Sequence, residues 1–340
     1  MPGQTDGTKA GTVSDFSIPI PDLTAALIAL VRQIPRGRVT TYGELALALG
    51  DRHAARWIAK VLIDPPDAIR SRAHRVVKLT GEPNRFPADA LDRLVREKVP
   101  IAAGSLIDTD GRFREFVTDH PLARLKAEQE RIAARVRLAK LRSLPKTVAA
   151  LDISYRSDGI GVGAYVLMKS GHAEPLWTMT IDRPIAFPYI PGYLSFRELP
   201  IHAELLRLAA RANAAAPMLL VDGAGTLHPR RVGVASQLGV LADRPTIGVT
   251  KHRLCGSLVL NGAFGTGTGC VVDDGETIAA ALPPGGRGSK PIYVSPGHRC
   301  TLKDAVAIVT GWRRGSRLLE PIRIADALSR SVARAGLEAG

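Results

Sequence analysis

From Thr147 onward, three apolar, β-prone runs follow one another: TVAALDISY (147–155), GIGVGAYVLM (159–168) and EPLWTMTI (174–181). Only short turns rich in Asp, Ser and Gly separate them, so they pair as successive antiparallel strands. Helical and extended patterns then alternate. HAELLRLAARAN precedes the buried strand PMLLVDG, then come helix VGVASQLGVLA, strand PTIGVTK, strand IYVSPGH and helix TLKDAVAIVTGW. Hairpin strands followed by alternating helices and strands specify an α/β fold, a mixed sheet with flanking helices.

Residues 17–118 follow another rule. DLTAALIALVRQIP places Leu23, Leu27, Leu30, Val31 and Ile34 at helical spacing, and Pro35 and Gly37 end it. TYGELALALG starts with Thr41 and Glu44 in capping-box positions and stops at Gly50. After a tight turn comes DRHAARWIAKVLI, whose Arg52, Arg56 and Lys60 recur every four residues along one face. Two helices joined by a short turn, the second with a basic stripe, suit a groove reader, although such a stripe is also an ordinary solvated face. The span Pro121–Lys146 reads as one long helix, and TDHP before it places a domain boundary near residue 119. The chain therefore divides into a disordered tail (1–16), a mainly α, winged helix-turn-helix-like domain (17–118) and an α/β domain (119–340).

Composition narrows the partners. Among 340 residues the net charge is +14, which favours a polyanion; an Arg-rich proteome is the other source of such a surplus. No run approaches the roughly 20 apolar residues of a membrane span, and no signal-peptide core is visible. Three cysteines without metal-type spacing, Cys255, Cys270 and Cys300, fit a reducing compartment, so a cytoplasmic protein without a membrane partner is expected.

Two aspartates stand out. Asp152 interrupts an apolar strand and Asp222 ends another just before Gly223. A carboxylate on a buried strand is costly unless paired or bound to a cation, and neighbouring strands bring two together. Mg²⁺ relieves their repulsion and retains waters for hydrolysis. Glu198, in a loop before a helix, Lys251 and His298 add polar groups at strand ends, where α/β sites form. Structural readings remain open: Asp222 as a turn former, Lys251 as a solvated strand end, Glu198 as a partner of Arg197 or a helix cap. In FPYIPGYLSFRELP two prolines stiffen the backbone around Tyr189 and Ile190, presenting an aromatic that can wedge into a base stack. A packed Pro-rich turn is the alternative.

These motifs, with LLVDGAGTLHPRRVGVASQLGVLADRPTIGVTKHRLCG and YVSPGH, resemble endonuclease V, a deoxyinosine-directed repair nuclease of RNase H-like fold, from about 121 to 335. The resemblance implies a metal held by Asp152, Asp222 and Glu198, with Mg²⁺ as cofactor and Mn²⁺ able to substitute. It implies catalytic assistance from Lys251 and His298 at the scissile phosphate. Pro188, Tyr189, Ile190 and Pro191 would form a strand-separating wedge, and a flipped hypoxanthine would meet backbone near Gly192, Leu194, Gly223 and Gly233. The family cuts the second phosphodiester bond 3′ of the lesion, leaving 3′-hydroxyl and 5′-phosphate ends.

The first half carries IPRGRVTTYGELALALG, AARWIAKVL and AHRVV, and resembles the DNA-binding domain of O6-alkylguanine-DNA alkyltransferases. That resemblance gives Tyr42 a part in rotating the target nucleotide and Arg56 the vacated place in the stack. The enzymes carry Pro-Cys-His-Arg where this chain has Arg72, Ala73, His74 and Arg75. Residues 1–118 contain no cysteine, so alkyl transfer by a thiol there is chemically excluded. Alkyltransferase-like proteins, which bind alkylated guanine without repairing it, are the nearer resemblance, with Tyr42, Arg56, Ala73, His74 and Arg75 as the implied lesion-binding set. A monomer acting on damaged DNA is expected. A non-catalytic damage sensor and a ribonuclease acting on inosine-containing RNA are the alternatives.

Overall fold

The computed structural model describes residues 18–83, 88–102, 105–106, 111–260, 262–283 and 290–338. The tail expected over residues 1–16 lies outside them. The chain forms two compact units, which differ from the expected division in two ways. Pro19–Glu128 form one unit, so the division falls near residue 128, not 119. That unit also takes in Ala186–Tyr193, a loop from the second half of the sequence.

In the first unit α1 (Leu23–Gln33) begins at Asp22, whose carboxylate accepts from Ala25 N, and it buries Leu23, Leu27, Leu30 and Val31 as the spacing requires. Strand β1 (Thr40–Thr41) leads into α2 (Tyr42–Ala48), and Thr41 caps α2 by accepting from Glu44 N. Only half of the expected capping box forms, because the Glu44 carboxylate pairs with Arg114 instead. A one-turn 3₁₀ segment (Arg52–Ala54), capped by Asp51, opens onto α3 (Ala55–Val61), which packs on α2. Gly50 joins them at φ 103°, and a Cβ there would stand 2.5 Å from Ala123 N, so the turn is pinned against the chain below it. Then follow α4 (Asp67–Arg70), β2 (Val76–Val77), α5 (Ala90–Arg96), β3 (Ile101–Ala102) and β4 (Ser105–Leu106). β1 pairs with β2 in parallel and β3 with β4 antiparallel, giving a mainly helical unit with two very small sheets.

Helix α6 (Pro121–Ala133) is shorter than the expected 121–146 span. Residues 134–146 leave the helix because their main chain finds tertiary partners: Arg299 N donates to Arg137 O, and Leu141 N to the Asp304 carboxylate. The α/β unit is built on one nine-stranded sheet. Its elements in chain order are β5 (Thr147–Tyr155), β6 (Ile160–Lys169), β7 (Trp177–Pro184), α7 (Leu194–Arg211), β8 (Leu219–Asp222), α8 (Val234–Ala242), β9 (Thr246–Thr250), β10 (Ser257–Val259), β11 (Gly269–Asp273), β12 (Glu276–Leu282), β13 (Ile292–His298), α9 (Leu302–Trp312) and α10 (Glu320–Glu338). Spatial order is β10-β11-β12-β13-β9-β8-β5-β6-β7. β5, β8 and β9 run parallel, and β6 and β7 extend the sheet antiparallel, as the hairpin pattern requires. The sheet is thus mixed and covered by helices on both faces.

Period-two alternation decides what each face buries. Val148 and Ala150 of β5, Met218 just before β8 and Leu220 within it, and Ile247 and Val249 of β9 pack with Val309, Leu319, Ile322 and Ala325 of α9 and α10 and the segment between them. Ala149, Leu151, Leu219 and Val221 face the other way, against Leu205 and Leu206 of α7 and Leu238 of α8.

Candidate active site

Continuing the alternation puts Asp152 after Val148 and Ala150, Asp222 after Met218 and Leu220, and Lys251 after Ile247 and Val249. All three therefore stand on the α10 face. Register sharpens this: Ala150 pairs with Leu220 and Leu151 with Val221, so the next step sets Asp152 level with Asp222. Helix α10 crosses there and adds a third acid. Single carboxylate oxygens of Asp152, Asp222 and Asp326 all lie within 4.8 Å of one another. Lys251 Nζ sits 3.3 Å from both Asp222 Oδ2 and Asp326 Oδ1. Ser329, one turn beyond Asp326, donates to Asp152 Oδ2 at 2.5 Å and lies 2.8 Å from Ser154 Oγ.

The electrostatics follow from burial and charge. Asp152 is 7% exposed. Desolvation, then the Asp222 carboxylate, pushes its pKa up to about 7 against the Ser329 hydrogen bond. Burial also raises Asp222, opposed by Lys251. Burial works to lower Lys251, but Asp222 and Asp326 outweigh it and hold the ammonium above its ordinary value. Three acids facing one ammonium leave a surplus of negative charge in a poorly solvated place. All-oxygen donors at this spacing fit a hard divalent cation.

Glu198 stands inside α7, not in a loop before it. It lies beside the cluster, since its charge raises both Asp152 and Asp222. It is not one of the three acids whose oxygens gather, and that place belongs to Asp326. Tyr155 donates to Glu198 Oε1 at 2.6 Å, and Arg197 stacks over the Tyr155 ring at 4.3 Å. His202, one turn along α7, holds Nε2 3.8 Å from Glu198 Oε2.

His298 is not brought to the acids. β13 runs antiparallel to β9 and pairs His298 with Thr246, at the opposite end of β9 from Lys251. Five residues of strand amount to roughly 16 Å. Its Nδ1 accepts from Arg137 N and its Nε2 faces Asp243, and burial holds its pKa down.

In the expected wedge, Tyr189 is 63% exposed, Pro188 is half-buried and Pro191 exposed. Ile190 is fully buried, so it anchors the loop and cannot belong to the tip. Gly192 follows at φ 82°, and Leu194 is the first residue of α7. Gly223 and Gly233 lie close together: a Cβ on Gly223 would meet Val234 at 3.3 Å, and one on Gly233 would collide with Ala224 O.

In the first unit Arg52, Arg56 and Lys60 are exposed on one face, as expected. Tyr42 opens α2, half-buried, with its hydroxyl pushed up to about 12 by burial. Ala73 is fully buried. His74 and Arg75 depart from the implied lesion-binding set, because their polar groups face inward. His74 Nε2 lies 3.0 Å from Glu97 Oε1, while Arg75 forks onto both Glu97 oxygens and donates to Ile34 O. Burial works against ionised Glu97, but Arg75 and the Gly37 amide bring its pKa down to about 2.

Comparison with known proteins matches a different family to each half of the sequence. A family model for endonuclease V matches residues 130–327, and one for the DNA-binding domain of 6-O-methylguanine DNA methyltransferase matches residues 22–98. Endonuclease V of Aeropyrum pernix is 43% identical over 203 residues, 59% of this chain and 76% of that protein. The bifunctional methyltransferase/endonuclease of Picrophilus torridus is 33% identical over 291 residues, 85% of this chain and 89% of that protein. Among solved structures, the catalytic domain of human endonuclease V is similar with TM-score 0.59 and 29% identity, covering 65% of this chain and 99% of that one. Endonuclease V of Ciona intestinalis, solved with DNA containing an inosine followed by a ribo-adenosine, gives TM-score 0.57 and 28% identity over 64% of this chain and 99% of that one.

Proposed function

The chain belongs to the endonuclease V family, with an alkyltransferase-type DNA-binding domain ahead of the nuclease, and from that premise we propose a Mg²⁺-dependent repair endonuclease cutting the second phosphodiester bond 3′ of deoxyinosine. The observation that carries this reading is the cluster of Asp152, Asp222 and Asp326. These carboxylates would hold Mg²⁺, or Mn²⁺ on the same oxygens, and the cation would supply an activated water and a counter-charge for the phosphate. Lys251 offsets charge beside Asp222 and Asp326. Tyr155 fixes Glu198 Oε1, leaving Oε2 to accept from the attacking water. Ser329 orients Asp152.

Tyr189, carried on a proline-stiffened loop, enters the duplex where the lesion has been. Backbone at Leu194, Gly223 and Gly233 receives the extruded hypoxanthine, and Gly192 turns the loop into α7. In the first domain Arg56 and Tyr42 engage DNA, and buried Ala73 cannot take an alkyl group. The domain therefore reads damage, O6-alkylguanine among it, and changes no bond. The structure with inosine followed by a ribo-adenosine favours a second reading, in which a ribonucleotide 3′ of inosine is also accepted.

The test is nicking of matched DNA and RNA strands carrying a single inosine, with Mg²⁺ and with chelator. Asp222→Ala is expected to lose nicking by about 10³-fold or more, several kcal/mol of charge stabilisation, while duplex binding persists. Wild-type protein that binds inosine duplexes but never nicks them is a sensor, and the nuclease reading falls.

A further inference from the structure

The loop Ala186–Tyr193 connects β7 to α7 of the nuclease in sequence, yet it packs as part of the DNA-binding unit. The link is specific. Tyr193 is fully buried, and its hydroxyl donates to Asp51 Oδ2 at 2.6 Å, with the Leu122 carbonyl 3.4 Å away. Asp51 has a second task. Its Oδ1 accepts from His53 N at 2.9 Å and lies 2.6 Å from His53 Nδ1, capping the 3₁₀ turn that opens α3. One carboxylate thus holds the start of the basic helix with one oxygen and the loop with the other.

Both ends of this bridge are stiff. Leu122 N donates to Leu49 O, and Gly50 fits against Ala123 with no room for a side chain, so the turn before Asp51 is fixed. On the loop side Tyr193 N donates to Ile190 O at 3.0 Å, closing a turn around Pro191 and Gly192. Phe187 and Ile190 are buried while Tyr189 projects. Only three residues therefore separate an exposed aromatic from a hydroxyl locked to the helix cap.

We infer that Tyr193 is a positioning residue that keys the Tyr189 loop to the start of α3, so that DNA seated on the basic helix sets where the wedge stands. The inference rests on the proposed reading of Tyr189 as a strand-separating wedge. Strand opening then belongs to the DNA-binding domain's machinery, although its residues lie within the nuclease half of the sequence. A lesion engaged through Arg56 and a base extruded beside Tyr189 become coupled events.

The experiment uses the full chain and four variants. Tyr193→Phe removes the hydroxyl. Asp51→Ser keeps a good helix cap but is too short to reach Tyr193. The third variant combines both changes, and Asp51→Asn retains both cap and reach. Duplexes with one deoxyinosine and a 2-aminopurine on its 3′ side report unstacking by fluorescence in Ca²⁺ and nicking in Mg²⁺. Thermal midpoints check folding. A fall of about tenfold in duplex nicking, the size of one hydrogen bond to a charged partner, is expected for Tyr193→Phe and Asp51→Ser. Unstacking should fall in parallel, the double variant should be no worse than either single one, and Asp51→Asn should stay near wild type. Single-stranded deoxyinosine substrate, which needs no opening, should be cut equally by all. Wild-type unstacking in Tyr193→Phe, or losses that multiply in the double variant, would overturn the inference. Absence of wild-type nicking on any inosine substrate would instead sink the nuclease reading, leaving the fluorescence arm to judge the bridge.

Discussion

At Asp152, burial and the Asp222 carboxylate push the acid up to about 7, well above the ~3.9 of an unfolded chain. The folded state therefore tolerates the protonated form better than the charged one. This contribution to stability is fully present below pH ~4 and is lost as pH rises through about 7. In chelator, the thermal midpoint should drop between pH 5 and pH 8 from this source. Mg²⁺ should raise it more at pH 8 than at pH 5, because the cation needs the ionised acids; equal gains at both pH values would contradict the assignment. Glu97 has the opposite sign. Its pKa of about 2 gives stability that is present above ~4.5 and lost as pH falls through 2. Glu97→Gln leaves Arg75 with a weakened partner, and a loss of about 3 kcal/mol in chemical denaturation is expected. Asp152, Asp222 and Lys251 were legible in the sequence because each continues an apolar alternation on a strand. Asp326 was not, since an acid among the arginines of an amphipathic helix looks like a solvated charge. Its signal was local: Ser329 and Asp326 share a helix face with Ile322 and Ala325, and Ser329 is fully buried. His298 misled because a strand end looks alike at either edge of a sheet until strand direction is known.

Elements were read best where periodicity and caps agreed. β5 spans TVAALDISY as expected, and α1 buries the residues its spacing named. α9 begins at a full capping box, Thr301 accepting from Asp304 N while the Asp304 carboxylate takes the Thr301 amide. Thr301→Ala should cost about 1 kcal/mol, read from denaturant midpoints at unchanged slope. Reading failed where a distant partner replaced a local one. Residues 134–146 have helical composition, but their main-chain groups bond to Arg299 in the β13–α9 connection and to the Asp304 carboxylate in the first turn of α9, outweighing propensity. Glu44 lost its capping role to Arg114 in the same way. The outer strand β10 of the meander β10–β12 is only three residues long and exposed along its length, although Leu258 and Val259 are apolar, so it showed no buried-strand pattern.

For the whole molecule, the surplus of +14 and the exposed Arg52, Arg56 and Lys60 make DNA binding a salt-sensitive quantity. Arg56→Ala should weaken duplex binding and flatten the log–log salt dependence by about one phosphate contact; an unchanged slope would remove Arg56 from the interface. Removing the first domain outright is the wrong experiment, since the loop carrying Tyr189 packs with it. Among the described residues no helix is long and apolar enough to cross a membrane.

The register between β5 and β8 has one more consequence. Asp152 and Asp222 share a face only when Ala150 meets Leu220, and a slip of one residue would turn one of them to the opposite side of the sheet. Asp326 joins only after α10 has docked across that face. A nascent or misthreaded chain thus lacks the means to cut. If these acids carry the cut, competence to break DNA arrives together with the finished sheet.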